Sequence, residues 1–127
     1  MLLDTQNLFS DAQEITTGTI VSTNTVKFGK GDVSYLPVII QVVSDFSDLT
    51  SLAVTVQTSA KKNFADPVDL ATCSLALAKL KAGAKFPIDY LPAGNLGYMR
   101  LSYTVTGDTE TTGAITAGVV AGIDRNL

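Results

Sequence analysis

The feature that most constrains this chain is a pair of alternating runs near its C-terminus. Over 98–105, Met99, Leu101, Tyr103 and Val105 alternate with Tyr98, Arg100, Ser102 and Thr104. A period of two sends one set of side chains into a core and the other to water, which marks a half-buried strand. The polar stretch 107–113 interrupts the pattern, and Ile115, Ala117, Val119, Ala121 and Ile123 then resume it. Two such runs joined by a polar segment read as an antiparallel hairpin, here spanning 94–123.

The same logic applies upstream. Leu52, Val54, Val56 and Thr58 alternate with Ala53, Thr55, Gln57 and Ser59, giving another half-buried strand, whereas LPVIIQVVS at 36–44 is apolar on both faces, as expected of a central strand. Threonine- and valine-rich segments at 15–21 and 25–29 read as two short strands, and 68–77 as a further one. A short strand over 84–89 carries Pro87, which suits a sheet edge. The stretch 75–80 has room for no more than a turn of helix, because Gly83 and Pro87 follow it. About eight strands separated by turn signals predict an all-β fold: a single-domain antiparallel β-sandwich, with a jelly roll favoured over an immunoglobulin-like arrangement. The 127 residues are enough for one independent core. Residues 1–14 depart from the pattern, with Leu2, Leu3, Leu8 and Phe9 scattered among polar groups, so they read as an irregular N-terminal arm on a sandwich domain of 15–127. Such an arm packs either on its own sandwich or on a neighbouring subunit.

Composition bears on function mainly through what it withholds. There is no histidine and only one cysteine, so an intramolecular disulfide is excluded and a zinc site or serine triad lacks its usual parts. A net charge of -3 with 17% charged residues gives no field that would gather nucleic acid. The N-terminus is acidic where a leader peptide would be basic, and no apolar run is long enough to cross a membrane, so neither export nor insertion is expected. The Gly29, Lys30, Gly31, Asp32 loop matches no phosphate-binding fingerprint and reads as a plain reversal. Asp45 with Asp48, and Asp66 with Asp69, lack the dense acidic loop of a calcium site and read as turn and cap residues. Cys73 lies in a strand pattern, with no base to activate it, and reads as a small apolar packing group. No catalytic, cofactor-binding or metal-binding residue is nominated.

Other features point to a partner. Mean hydropathy is +0.28 although charges are few, and a solitary soluble domain normally keeps apolar patches off its surface. Lys61, Lys62 and Phe64 make a basic, aromatic knuckle in the loop 60–67, read either as a solvated loop or as a contact for an acidic neighbour. The outward positions of the last strand, Ala114, Thr116, Gly118, Val120 and Gly122, are small and uncharged, a flat face for the arm or for a second protein to cover. From a different class, sugar binding would use Tyr35, Tyr90 and Tyr98 as platforms, without any tryptophan to help.

The words LFSDAQEIT and STNTVKFG, with the closing LPAGNLGYMRLSYTVTG and GAITAGVV, resemble the beginning and end of the jelly-roll capsid cement (decoration) proteins of short-tailed bacteriophages. The resemblance covers nearly the whole chain and contains no catalytic motif. It implies a structural protein without enzymatic activity, made in the bacterial host cytoplasm and carried on the outer capsid surface of the virion. Its implied partners are the major capsid protein, whose neighbouring subunits it bridges, and itself as a homodimer or homotrimer, with no nucleic acid, membrane or small-molecule substrate. The expected contacts are Leu2, Leu3, Leu8 and Phe9 of the arm, Lys61, Lys62 and Phe64 of the loop, and Gly118 and Val120 of an oligomer face. The alternative is a carbohydrate-binding β-sandwich module of a phage tail or cell-surface system.

Overall fold

The alternating runs form the walls of the core. In the computed structural model, β7 (Tyr98–Thr106) buries Met99, Leu101, Tyr103 and Val105, and β5 (Ser51–Ser59) buries Leu52, Val54, Val56 and Thr58. The two strands pair antiparallel in unbroken register from Ser51↔Thr106 to Ser59↔Tyr98. One residue of slip would turn every apolar side chain outward, so the shared alternation holds this register. β6 (Val68–Ala76) flanks β5, while the short β2 (Thr19–Val21) and β3 (Val26–Lys27) both flank β7, completing a five-stranded sheet. The described residues are 2–15, 18–29, 31, 36–47, 49–88, 90–107 and 112–122, with 2–7 and 121–122 described by backbone alone.

Opposite lies a three-stranded sheet in the order β1 (Leu2–Glu14), β8 (Thr112–Gly122), β4 (Val38–Ser47). Phe9, Val38, Ile40, Val42, Ile115, Ala117 and Val119 point from it into the same core as the residues of β5 and β7. At about 25 cal/mol per Å² of apolar surface, this shared interior is the main force holding the sheets face to face. Outside β4 runs an irregular segment, held by Phe46 N–H to Leu80 O (3.0 Å), Val42 N–H to Ala84 O (2.8 Å) and Phe86 N–H to Ile40 O (2.9 Å). The chain thus pairs first strand with last, β2 and β3 with β7, β4 with the 80–91 segment, and β5 with β6. This is a ribbon folded in half and rolled, the winding of a jelly roll. The all-β, eight-stranded sandwich read from the sequence is therefore the fold observed.

Several local expectations change. The C-terminal runs do not form a hairpin, because β7 belongs to the five-stranded sheet and β8 to the other. Both alternate because they line one core from opposite sides, and a period of two fixes the buried face without naming the neighbour. The expected central strand at 36–44 is β4, buried on one face only, with Val43 39% exposed on the other. No strand forms over 84–89 among the described residues, where Lys85 and Tyr90 make isolated bridges to Gln41 and Pro37. The helical turn allowed near 75–80 is a 3-10 turn at Leu77–Lys79. Residues 2–14 are not free of the domain: they are strand β1, antiparallel to β8, with the register shifting at four places. Those shifts, with Ala12 at φ +48°, scramble the alternation that a regular strand would show.

Candidate functional site

At one corner β1 is tied to the opposite sheet by polar side chains. Ser10 Oγ donates to Gln13 Oε1 (2.6 Å), so the buried Tyr103 hydroxyl, 2.7 Å from Ser10 Oγ, donates to it. Gln13 in turn donates to Val21 O (2.9 Å) and accepts from Thr23 N–H (2.9 Å), while Asn24 donates to Leu8 O from its side chain and to Phe9 O from its backbone. Burial pushes the Tyr103 phenol well above its usual range, opposed by the Ser10 hydrogen bond. The folded state therefore holds the neutral phenol. Because the folded value is raised, the stabilisation is complete below about pH 10, the unfolded value, and declines as pH rises beyond it. Tyr103→Phe is expected to cost about 1 kcal/mol at neutral pH and to flatten the fall of melting temperature above pH 10, read by a pH series of thermal melts.

The residues expected to make contacts fall into two places. Phe9 is 0% exposed and belongs to the protein's own core. Leu8 is half-buried on the outer face of the three-stranded sheet, where it lies opposite Gly118, itself opposite Ile39. Val120 shares that face and is buried, its N–H donating to Pro37 O (2.9 Å). The side chains of Leu2 and Leu3 lie outside the described residues, although Leu3 pairs with Val120 through the backbone. So Leu8, Gly118 and Val120 come together on one face, with Gly118 and Val120 already covered within the chain.

Lys61, Lys62 and Phe64 lie on the other sheet, in the turn from β5 to β6. Both lysines are exposed, whereas Phe64 is buried under the Arg100 guanidinium, 4.3 Å from its ring centroid. Arg100 Nε donates to Gln57 Oε1 (2.9 Å), and Gln57 Nε2 donates to Asp69 Oδ1 (2.9 Å). The cation–π contact and this relay make Phe64 the floor of the loop, with the lysines as its exposed groups.

Beside that loop sit exposed apolar residues that the sequence did not single out. Val68 (45% exposed) pairs with Thr58, and Thr58 Oγ1 accepts the N–H of Leu96 (44% exposed) at 3.0 Å. Asn95 holds the neighbouring turns by donating to Gly29 O and Gly31 O (2.8 Å each) and accepting from Gly97 N–H (3.0 Å). Leu96 is thus presented on hydrogen-bonded turn backbone, and Val68 on a strand paired with β5. Only their position between Pro67 and Asp69, and between Asn95 and Gly97, hints at this exposure.

The remaining candidates make no assembled centre among the described residues. Tyr90 is 51% exposed and Tyr98 half-buried, while Tyr35 lies outside the described residues. Asp45 Oδ1 accepts the Ala82 N–H at 2.6 Å, bracing a turn, and Asp48 lies outside the described residues. No three potential metal ligands cluster among those described. Cys73 packs half-buried against the core, and burial raises its thiol, leaving less thiolate for chemistry. A family model described as Bbp16 matches residues 9–121, from the buried Phe9 through β8. No curated protein matches the chain.

Proposed function

We propose, because this chain belongs to the phage-related Bbp16 family, that it is a structural protein of the bacteriophage particle, a cement protein on the outside of the capsid. The observation that supports the phage part of this reading is the family match, which runs from Phe9 in β1 to residue 121 in β8. The protein bridges neighbouring major capsid subunits and acts without catalysis, cofactor or small-molecule substrate, away from nucleic acid and membrane. The pinned end of the sandwich supports it, with Val68 and Leu96 as apolar contacts beside Lys61 and Lys62. A rigid body that binds the expanded shell better than the unexpanded one raises shell stability by mass action. Individual contacts near the standard ~1,600 Å² are multiplied by repetition over the lattice.

The test adds purified protein to expanded empty capsids that lack it. It is expected to co-sediment with them and raise their melting temperature, and Lys61→Glu with Lys62→Glu is expected to weaken binding about tenfold, or 1.4 kcal/mol, and to blunt its salt dependence. The melting temperature of the free variant should stay unchanged, since both side chains are exposed. Protein that ignores capsids and binds glycans through the exposed Tyr90 overturns the reading in favour of a carbohydrate-binding module.

A further inference from the structure

The turn from β5 to β6 is clasped at its neck. Ser59, fully buried at the end of β5, accepts the Lys61 N–H (3.1 Å) on its hydroxyl and donates that hydroxyl to Ala65 O (2.9 Å), so one side chain joins both ends of the loop. Between them, Phe64 N–H donates to Lys61 O (3.0 Å) and Ala65 N–H to Asn63 Oδ1 (3.1 Å). Phe64 takes φ +54°, in the left-handed region that bulky side chains avoid. Such a conformation persists only where its surroundings impose it. Here the Arg100 guanidinium covers the ring, and Arg100 is itself held through Gln57 of β5 to Asp69 of β6. The common core does not require this arrangement, since Phe64 lies outside the cluster of buried residues that the two sheets share. What the arrangement does set is the position of Lys61 and Lys62, both exposed and neither in an ion pair among the described residues.

We propose that Phe64 and Arg100 are positioning residues for the capsid contact, holding the loop 60–67 in its bound shape before the shell is met and presenting Lys61 and Lys62 to carboxylates of the major capsid protein. This deepens the cement reading and rests on it for the identity of the partner. The chemistry of that partner follows from charge, because two adjacent unpaired cations fit an acidic surface. Lysines on a mobile loop must be ordered on binding, and a loop already held in shape avoids that loss. Phe64 and Arg100 thus raise affinity without touching the shell.

Trypsin sensitivity of the free protein and capsid co-sedimentation over a salt series test this together. Phe64→Gly keeps both lysines, the net charge and the backbone angle while removing the ring, and Arg100→Lys keeps the charge but not the planar fork on Gln57. Each variant is expected to be cleaved after Lys61 and Lys62 about tenfold faster than the wild type, with other sites unchanged, because cleavage there requires only the loop to open. Each is also expected to bind capsids about tenfold more weakly with the slope of its salt dependence kept, unlike Lys61→Glu with Lys62→Glu. Phe64→Tyr restores the ring and is expected to match the wild type in both measurements. A wild type cleaved as readily as the variants overturns the proposal, as do variants that are cleaved faster yet bind capsids normally or lose the salt dependence. A wild type that resists trypsin as described yet ignores capsids leaves the clasped loop standing and removes the cement reading.

Discussion

Gly113→Ala should be among the most destabilising single substitutions in this protein, at roughly 2–5 kcal/mol, measured by urea unfolding. Two separate costs combine. A Cβ at this position would sit 2.5 Å from Phe46 Cγ and 2.6 Å from both Cδ atoms, and Phe46 is buried in the core. The backbone there has φ +148°, a conformation that side-chain-bearing residues rarely adopt. Relief by movement is blocked, because Gly113 O accepts the Ile15 N–H at 3.0 Å. Adding Phe46→Leu removes the aromatic ring from the collision but leaves the dihedral cost. The double variant should therefore be more stable than the sum of the single losses by about 1 kcal/mol or more. Strict additivity would place the clash elsewhere.

Deleting residues 2–14 should abolish the folded β spectrum rather than release a tether. β8 would lose the neighbour on one side, and Phe9 would leave a gap in the core. Phe9→Ala alone is expected to cost about 3–5 kcal/mol, a large part of the 5–15 kcal/mol available to a domain of this kind. Far-ultraviolet circular dichroism decides the matter. A truncated protein with an intact sandwich would mean that β1 is dispensable and free to dock on a neighbour.

These two sites show what was legible in the sequence and what was not. β5 and β7 announce themselves because regular strands facing one core must alternate, as Leu52 to Thr58 and Met99 to Val105 do. β1 hides because each register shift resets the period, so Phe9 and Ser10, both fully buried, look like scattered residues in an arm. β7 and β8 look like a hairpin because alternation reports a face and not a partner. The same limit applies to the exposed groups at the β5–β6 end. Lys61 and Lys62 are legible as charge, but the burial of Phe64 depends on Arg100, distant in sequence. Leu96 is exposed on a turn that Asn95 holds by long-range hydrogen bonds, which no local pattern records, and Val68 at the first position of β6, opposite Thr58.

In the proposed cement role, this jelly roll lies against other proteins on a phage shell. The most direct test of that role is a cryo-electron microscopy map of the phage particle at a resolution that traces strands. The eight-stranded sandwich is expected on the outer capsid surface at symmetry-related positions, with the end carrying Lys61, Lys62, Val68 and Leu96 against the major capsid protein. A shell without the sandwich, or the sandwich found only in the tail, would contradict it.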